Sequence, residues 1–224
     1  MRVTLALLAV ASALLVAPAT SAPKRCPRLM VPASKGVCID QFEWPNKPGR
    51  KPKLGISGIV EEADHGGKAV WDAESLCASV GKRVCTAEEW IAACEGQGGS
   101  KFPFGEKIPK YTPGDGTGLC NYDKVFRTPD EYLVFKRDAK EMEYLDQSEP
   151  AGHRTTCRSW SGAYDMMGNA EEWVRCNHGT DGWCLASRFW AEPRNCRALV
   201  RSHSPRWHYY DTSTRCCLDV KEAE

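Results

Sequence analysis

Beyond its first 22 residues, this 224-residue sequence has no apolar run long enough to cross a bilayer, so no membrane span is expected in the rest of the chain. Excess charge of either sign is missing too: 30 Lys and Arg stand against 29 Asp and Glu. A balanced chain has no electrostatic footprint for nucleic acid or anionic membrane, and neither is expected as a partner. Internal repeats and low-complexity blocks are absent. Twelve cysteines are present, yet no two have the C-x2-C spacing of a structural zinc site.

What is present begins with a leader. Residues 1–22 carry one positive residue (Arg2), an apolar core over 5–16, then small residues and Pro18. That is the layout of a secretion signal, with cleavage expected after Ala19 or Ala22. Its removal takes away Arg2 alone and leaves equal numbers of basic and acidic side chains. All twelve cysteines lie beyond it, and an even number in an exported chain points to disulfides. The expected product is a secreted or periplasmic protein with one domain over residues 23–224.

Nineteen glycines and fourteen prolines punctuate the chain, which suggests short elements in a loop-rich fold. Two helices are legible. In residues 71–80, Ala73, Leu76, Cys77 and Val80 fall on one helical face; Asp72 can cap the start and Gly81 follows the end. In the second, Thr86 and Glu89 form a capping box, and Trp90, Ala93 and Cys94 face the core. Short strands are expected near 36–42, 172–175 and 199–202. Between 121 and 149 the sequence is highly charged and reads as a solvated excursion.

Four segments in order carry a resemblance. They are Cys38-Ile39-Asp40-Gln41-Phe42-Glu43-Trp44-Pro45-Asn46; Val70-Trp71-Asp72-Ala73 with Gly81-Lys82-Arg83-Val84-Cys85-Thr86-Ala87-Glu88-Glu89-Trp90; Tyr164-Asp165-Met166-Met167-Gly168-Asn169-Ala170-Glu171-Glu172-Trp173; and Cys196-Arg197-Ala198-Leu199-Val200-Arg201, with Arg215-Cys216 closing. Together they resemble the formylglycine-generating-enzyme, or sulfatase-modifying factor, family. The resemblance implies an α+β domain elaborated from a C-type-lectin-like core, loop-rich and disulfide-stapled. It also implies cross-links from Cys77 to Cys216 (or Cys217) and from Cys94 to Cys196.

Members that generate formylglycine carry a C-x4-C pair whose thiolates hold copper(I), a soft ion suited to sulfur. The corresponding stretch here, 183–196, holds Cys184 and Cys196 with eleven residues between them, and no C-x4-C exists anywhere. Copper-dependent cysteine oxidation is therefore not expected. The resemblance further implies calcium, bound by Asp165 and Glu172 carboxylates and Gly168 and Ala170 carbonyls, with a second site at Asn121 and the Tyr122 carbonyl. His203, His208 and Asp211 make up the donor set of a two-histidine, one-carboxylate iron site. They sit in a proline-interrupted loop, which suits ligand contact better than rigid metal ligation. Trp183, Arg201, His203, Trp207 and His208 are the groove candidates, a mix suited to stacking on a peptide, small molecule or glycan. The expected function is to bind or modify an extracytoplasmic peptide or small molecule. A non-catalytic lectin-like module and a structural envelope protein are the alternatives.

Overall fold

The computed structural model describes residues 26–59 and 71–220; the expected leader over 1–22 and Val70 lie outside them. Strands β1 (Met30–Ser34) and β2 (Val37–Asp40) form a hairpin, extended on the β2 side by the C-terminal strand of the chain, Cys216–Asp219. β3 (Ile56–Ser57) pairs in parallel with β4 (Trp71–Asp72). The Asp72 carboxylate then accepts from the Ser75 amide and starts α1 (Ala73–Ala78), which buries Ala73, Leu76 and Cys77. Gly81, at a φ of +69, takes the chain out of the helix into β5 (Arg83–Val84). At α2 (Ala87–Glu95) both halves of the capping box are formed, Thr86 Oγ1 accepting from Glu89 N and Glu89 Oε2 from Thr86 N.

The charged stretch is largely solvated, as expected, but it is not irregular. It folds into α3 (Glu131–Phe135) and α4 (Ala139–Leu145), capped by Asp130 and Asp138, each of which accepts from two backbone amides. Each helix buries one apolar residue, Val134 or Leu145, against Phe189, Trp190 and Tyr210. The second half is built on β6 (Glu171–Thr180), β7 (Trp183–Ala186), β8 (Leu199–Val200) and β9 (Thr212–Thr214), in the sheet order β8-β7-β6-β9. The C-terminal strand is β10; it bonds β2 on one side and β5 on the other. Trp90, Val174, Ile39 and Met166 fill the space between α2 and the sheets. No helix among the described residues is long and apolar enough to cross a membrane.

Six disulfides join all twelve cysteines. Successive side chains of a strand point to opposite faces, so Cys216 reaches Cys77 on α1 while Cys217 reaches Cys85. Cys94 on α2 pairs with Cys196, Cys120 with Cys157, Cys176 with Cys184, and Cys26 with Cys38. This density of cross-links fits an extracytoplasmic protein.

Candidate functional site

The residues that carry the family resemblance meet in the interior. Glu172 and Arg215 are fully buried; Arg215 Nε and Nη2 donate to the two Glu172 oxygens at 2.6 Å each, and Trp90 Nε1 donates to Oε2 at 2.7 Å. The same guanidinium donates to the carbonyls of Tyr164 and Asp40. Glu43, also buried, accepts from Asn169 Nδ2 at 3.1 and 2.9 Å. Burial pushes its carboxyl well above the usual range, and the neighbouring Asp165 and Glu172 charges push it further. Asp40 accepts from Asn46 at 2.8 Å and from Lys82 at 2.5 Å. The sequence motifs are thus one polar network joining β2, the segment before β6, and β10. Sequence reasoning missed the Arg215–Glu172 pair, because nothing local links residues 43 positions apart.

The expected calcium ligands lie partly inside this network. Asp165 Oδ2 accepts from the Gly152 amide at 2.7 Å, and burial raises its carboxyl to about 6. Both Glu172 oxygens are held by Arg215, so an ion at Glu172 would have to displace a buried guanidinium; this donor set does not fit calcium. Gly168, at φ +81, packs on the Asn121 carbonyl so closely that a Cβ would sit 2.1 Å from its oxygen. Ala170 N donates to the Gly168 carbonyl, so that oxygen is already an acceptor. Asn121 donates to Asn169 and to the Gln147 carbonyl, while its own Oδ1 is buried with no partner. Tyr122 is buried against Phe102 and the Cys120–Cys157 bridge. The two ligand sets are therefore in contact. Two carboxylates of this region, Asp123 and Glu149, are bound by Arg154.

A different surface is formed by residues 201–211. The loop is anchored where the Pro205 carbonyl accepts from Gly58 and Ile59, and where Thr212 Oγ1 donates to the Ile56 carbonyl. On it, His203 stacks on Trp207 (centroids 4.8 Å apart, planes at 14°) and Trp207 on Tyr209 (4.8 Å, 26°). Tyr209 leans on Tyr210 at 4.5 Å, and Tyr210 on Trp190 at 6.0 Å, so the open stack continues into the core. Tyr209 Oη donates to Glu131 at 2.7 Å, tying α3 to the stack; burial and that carboxylate raise the phenol's pKa.

Beneath the stack, Arg188 bonds Glu171 at 2.8 Å and Glu192 at 2.9 Å. Asp211 is buried beside Glu171; burial and that neighbouring charge raise its carboxyl well above the ordinary range. Burial and the Arg188 charge lower the His203 pKa, which favours the neutral ring that stacks. Of the groove candidates, the structure brings His203 and Trp207 together. His208 instead donates from Nδ1 to the Arg206 carbonyl, and Arg201 is exposed with its carbonyl accepting from Thr180. Trp183 is not a groove residue: it is core, edge-on to Trp173, with the Arg175 guanidinium 3.9 Å from its ring. Among the described residues no three His, Cys, Asp or Glu side chains are arranged to hold a metal, so His203, His208 and Asp211 do not form the iron triad.

Comparison with known proteins adds a family. The model of the sulfatase-modifying factor enzyme 1-like domain matches residues 50–198. Among solved structures, PvdO from Pseudomonas aeruginosa is similar at 15% identity over 81% of this chain and 79% of its own, with a TM-score of 0.48. The crystal structure of CarF is similar at 16% identity over 83% of this chain and 87% of its own, with a TM-score of 0.48. No curated protein matches in sequence.

Proposed function

This chain belongs to the family of sulfatase-modifying factor enzyme 1-like domains, and from that premise we propose that it binds an extracytoplasmic peptide or small molecule on the aromatic face of residues 203–210, without copper-dependent cysteine oxidation. The observation that carries this reading is the stack His203–Trp207–Tyr209, half open to solvent and backed by Tyr210 and Trp190. Aromatic rings supply large contact area at low entropic cost, and the exposed part of Trp207, between His203 and Tyr209 in the stack, offers that area to planar or aliphatic groups. The Arg188–Glu171–Glu192 cluster beneath it fixes the floor with charges that are already paired.

The disulfides support the second half of the proposal. A copper-binding thiolate needs a free sulfur. Both cysteines of the 183–196 stretch are engaged, Cys184 with Cys176 and Cys196 with Cys94. The leader-like sequence of residues 1–22 and the disulfide density support export.

The test is selection of phage-displayed random heptapeptides on the intact protein, scored against a Trp207→Ala, Tyr209→Ala double variant. Enrichment on the wild type that is lost on the double variant is expected; equal enrichment on both sinks the aromatic face. In parallel, copper-loaded protein is incubated with a sulfatase-type C-x-P-x-R peptide and the product weighed by mass spectrometry. No conversion of thiol to aldehyde is expected. Multiple turnovers that vanish in Cys184→Ala would return the chain to the oxidising members.

A further inference from the structure

A second surface, built from other elements, has the make-up of a ligand site. Between β1, the C-terminal end of α2 and the turn at 159–163 lies an open cleft of about 950 Å³. That is the size of pockets that take small organic ligands, which run to roughly 1,000 Å³. Trp160 stands on its wall with 73% of its surface exposed.

The fold holds Trp160 in that position. Ser159 N donates to the Ala163 carbonyl at 2.8 Å and Gly162 N to the Ser159 carbonyl at 2.9 Å, which closes the turn. Ser161 Oγ donates to the Ala93 carbonyl at 2.6 Å and lies 2.8 Å from Ser159 Oγ, which pins the turn to α2. Gly96 ends α2 at φ +63, and a Cβ there would sit 2.6 Å from the Trp160 Cβ. The helix end is thus cut away where the indole is rooted. A single exposed apolar side chain is ordinary on a protein surface; this one is fixed on a tied-down turn in the wall of a cleft, where its ring is available to a ligand in that cleft.

The wall chemistry selects the ligand. Apart from Lys35 the lining carries no charged side chain, so neither a cation nor a polyanion finds matching charge. Its polar groups are the Gln97 amide, the Ser34 and Ser100 hydroxyls and the peptide groups of Gly96 and Gly98. Amides and hydroxyls both donate and accept, which suits a ligand whose own groups do the same. An added peptide strand is disfavoured, although β1 is the edge of its sheet. Pro32 lies within β1, and its pairing register shifts between Pro32 and Ser34; both features block edge-to-edge pairing.

We propose that this cleft binds a neutral sugar unit, the C–H face of a pyranose lying on the Trp160 indole and its hydroxyls meeting Gln97 and the serines. The site shares no residue with the aromatic face at 203–210, so it stands whether or not that face binds a peptide.

The experiment follows the tryptophan indole N–H signals of the ¹⁵N-labelled intact protein during titration with maltohexaose, chitohexaose and mannohexaose. At least one of the three is expected to shift the Trp160 signal saturably. Trp160→Ala should weaken that binding by about fivefold or more, Trp160→Tyr should largely retain it, and Gln97→Ala should reduce it. Trp207→Ala, on the other face, should leave the titration unchanged. Trp160 is exposed, so its variants should melt as the wild type does. No shift of the Trp160 signal at ~10 mM of any of the three sugars, far above a useful affinity, would overturn the proposal. So would binding that survives Trp160→Ala, or a Trp160 shift produced by random-sequence peptides and not by the sugars.

Discussion

A buried guanidinium is tolerable only where a carboxylate and further acceptors surround it, because the desolvation of the charges is offset by the ion pair together with hydrogen bonds to the remaining N–H groups. Arg215 meets that condition through Glu172, with which it shares two bonds of 2.6 Å. Glu172→Ala would strand the cation and should cost about 3–5 kcal/mol in urea denaturation. Because the same guanidinium occupies both Glu172 oxygens, chelating calcium should leave the melting temperature unchanged. A clear fall with chelator, restored by added calcium, would overturn that reading of the Glu172 site. Glu149 behaves oppositely to the buried Glu43. Burial works to raise its pKa, but hydrogen bonds from Arg154 and Lys124 outweigh this and hold the carboxyl at about 2. A depressed folded pKa means stability that is full above the unfolded value near 4.5 and lost as pH falls toward 2. The melting-temperature gap between wild type and Glu149→Gln should therefore be widest above pH ~4.5 and close toward pH ~2. A gap that stays constant across that window would refute the ion-pair account.

Elements whose signals are local were readable in the sequence. The Thr86–Glu89 box spans three residues and forms as written, with the bonds at both ends of the reciprocal pair. Thr86→Ala should cost about 1 kcal/mol, read as a shift of the urea midpoint without a change in slope. Asp72 likewise caps α1, though the helix ends at Ala78, before Val80. α3 and α4 were not readable, because each buries a single residue and its cap lies within a run of like polar residues. Their apolar partners, Phe189, Trp190 and Tyr210, lie more than forty positions downstream, beyond any periodicity window. Strand β8 shrinks to Leu199–Val200, and β6 extends to Thr180, because strand length is decided by the neighbour across the ladder. The candidate site divides in the same way. His203 and Trp207 are four residues apart and stack, whereas Trp183, equally aromatic in the sequence, is buried by Trp173 on the adjoining strand and by Ile56 from the first half of the chain. Trp160 carried no motif; only the structure reveals its exposure.

At the scale of the whole molecule, short strands and two-turn helices cannot hold so loop-rich a chain by periodic packing alone. The long-range disulfides take over part of that role. Cys77–Cys216, Cys85–Cys217 and Cys94–Cys196 close separations of 139, 132 and 102 residues, and all three tie the α1–α2 region to the C-terminal part of the chain. Cys176–Cys184 closes only 8, between strands already paired in β6 and β7. A cross-link lowers the entropy of the unfolded chain in proportion to the logarithm of the loop it closes. On that basis, removing Cys94–Cys196 by a double alanine substitution should cost about 2 kcal/mol more than removing Cys176–Cys184. The members of both pairs are buried, so the two double variants lose comparable packing and differ chiefly in loop length. Urea denaturation under non-reducing conditions measures both. Equal losses would mean that native packing around the sulfurs, and not closure of the unfolded chain, is what these bridges contribute. The greater loss for the long bridge would show that the C-terminal strands, and with them the loop carrying His203, Trp207 and Tyr209, are held to α2 by covalent closure.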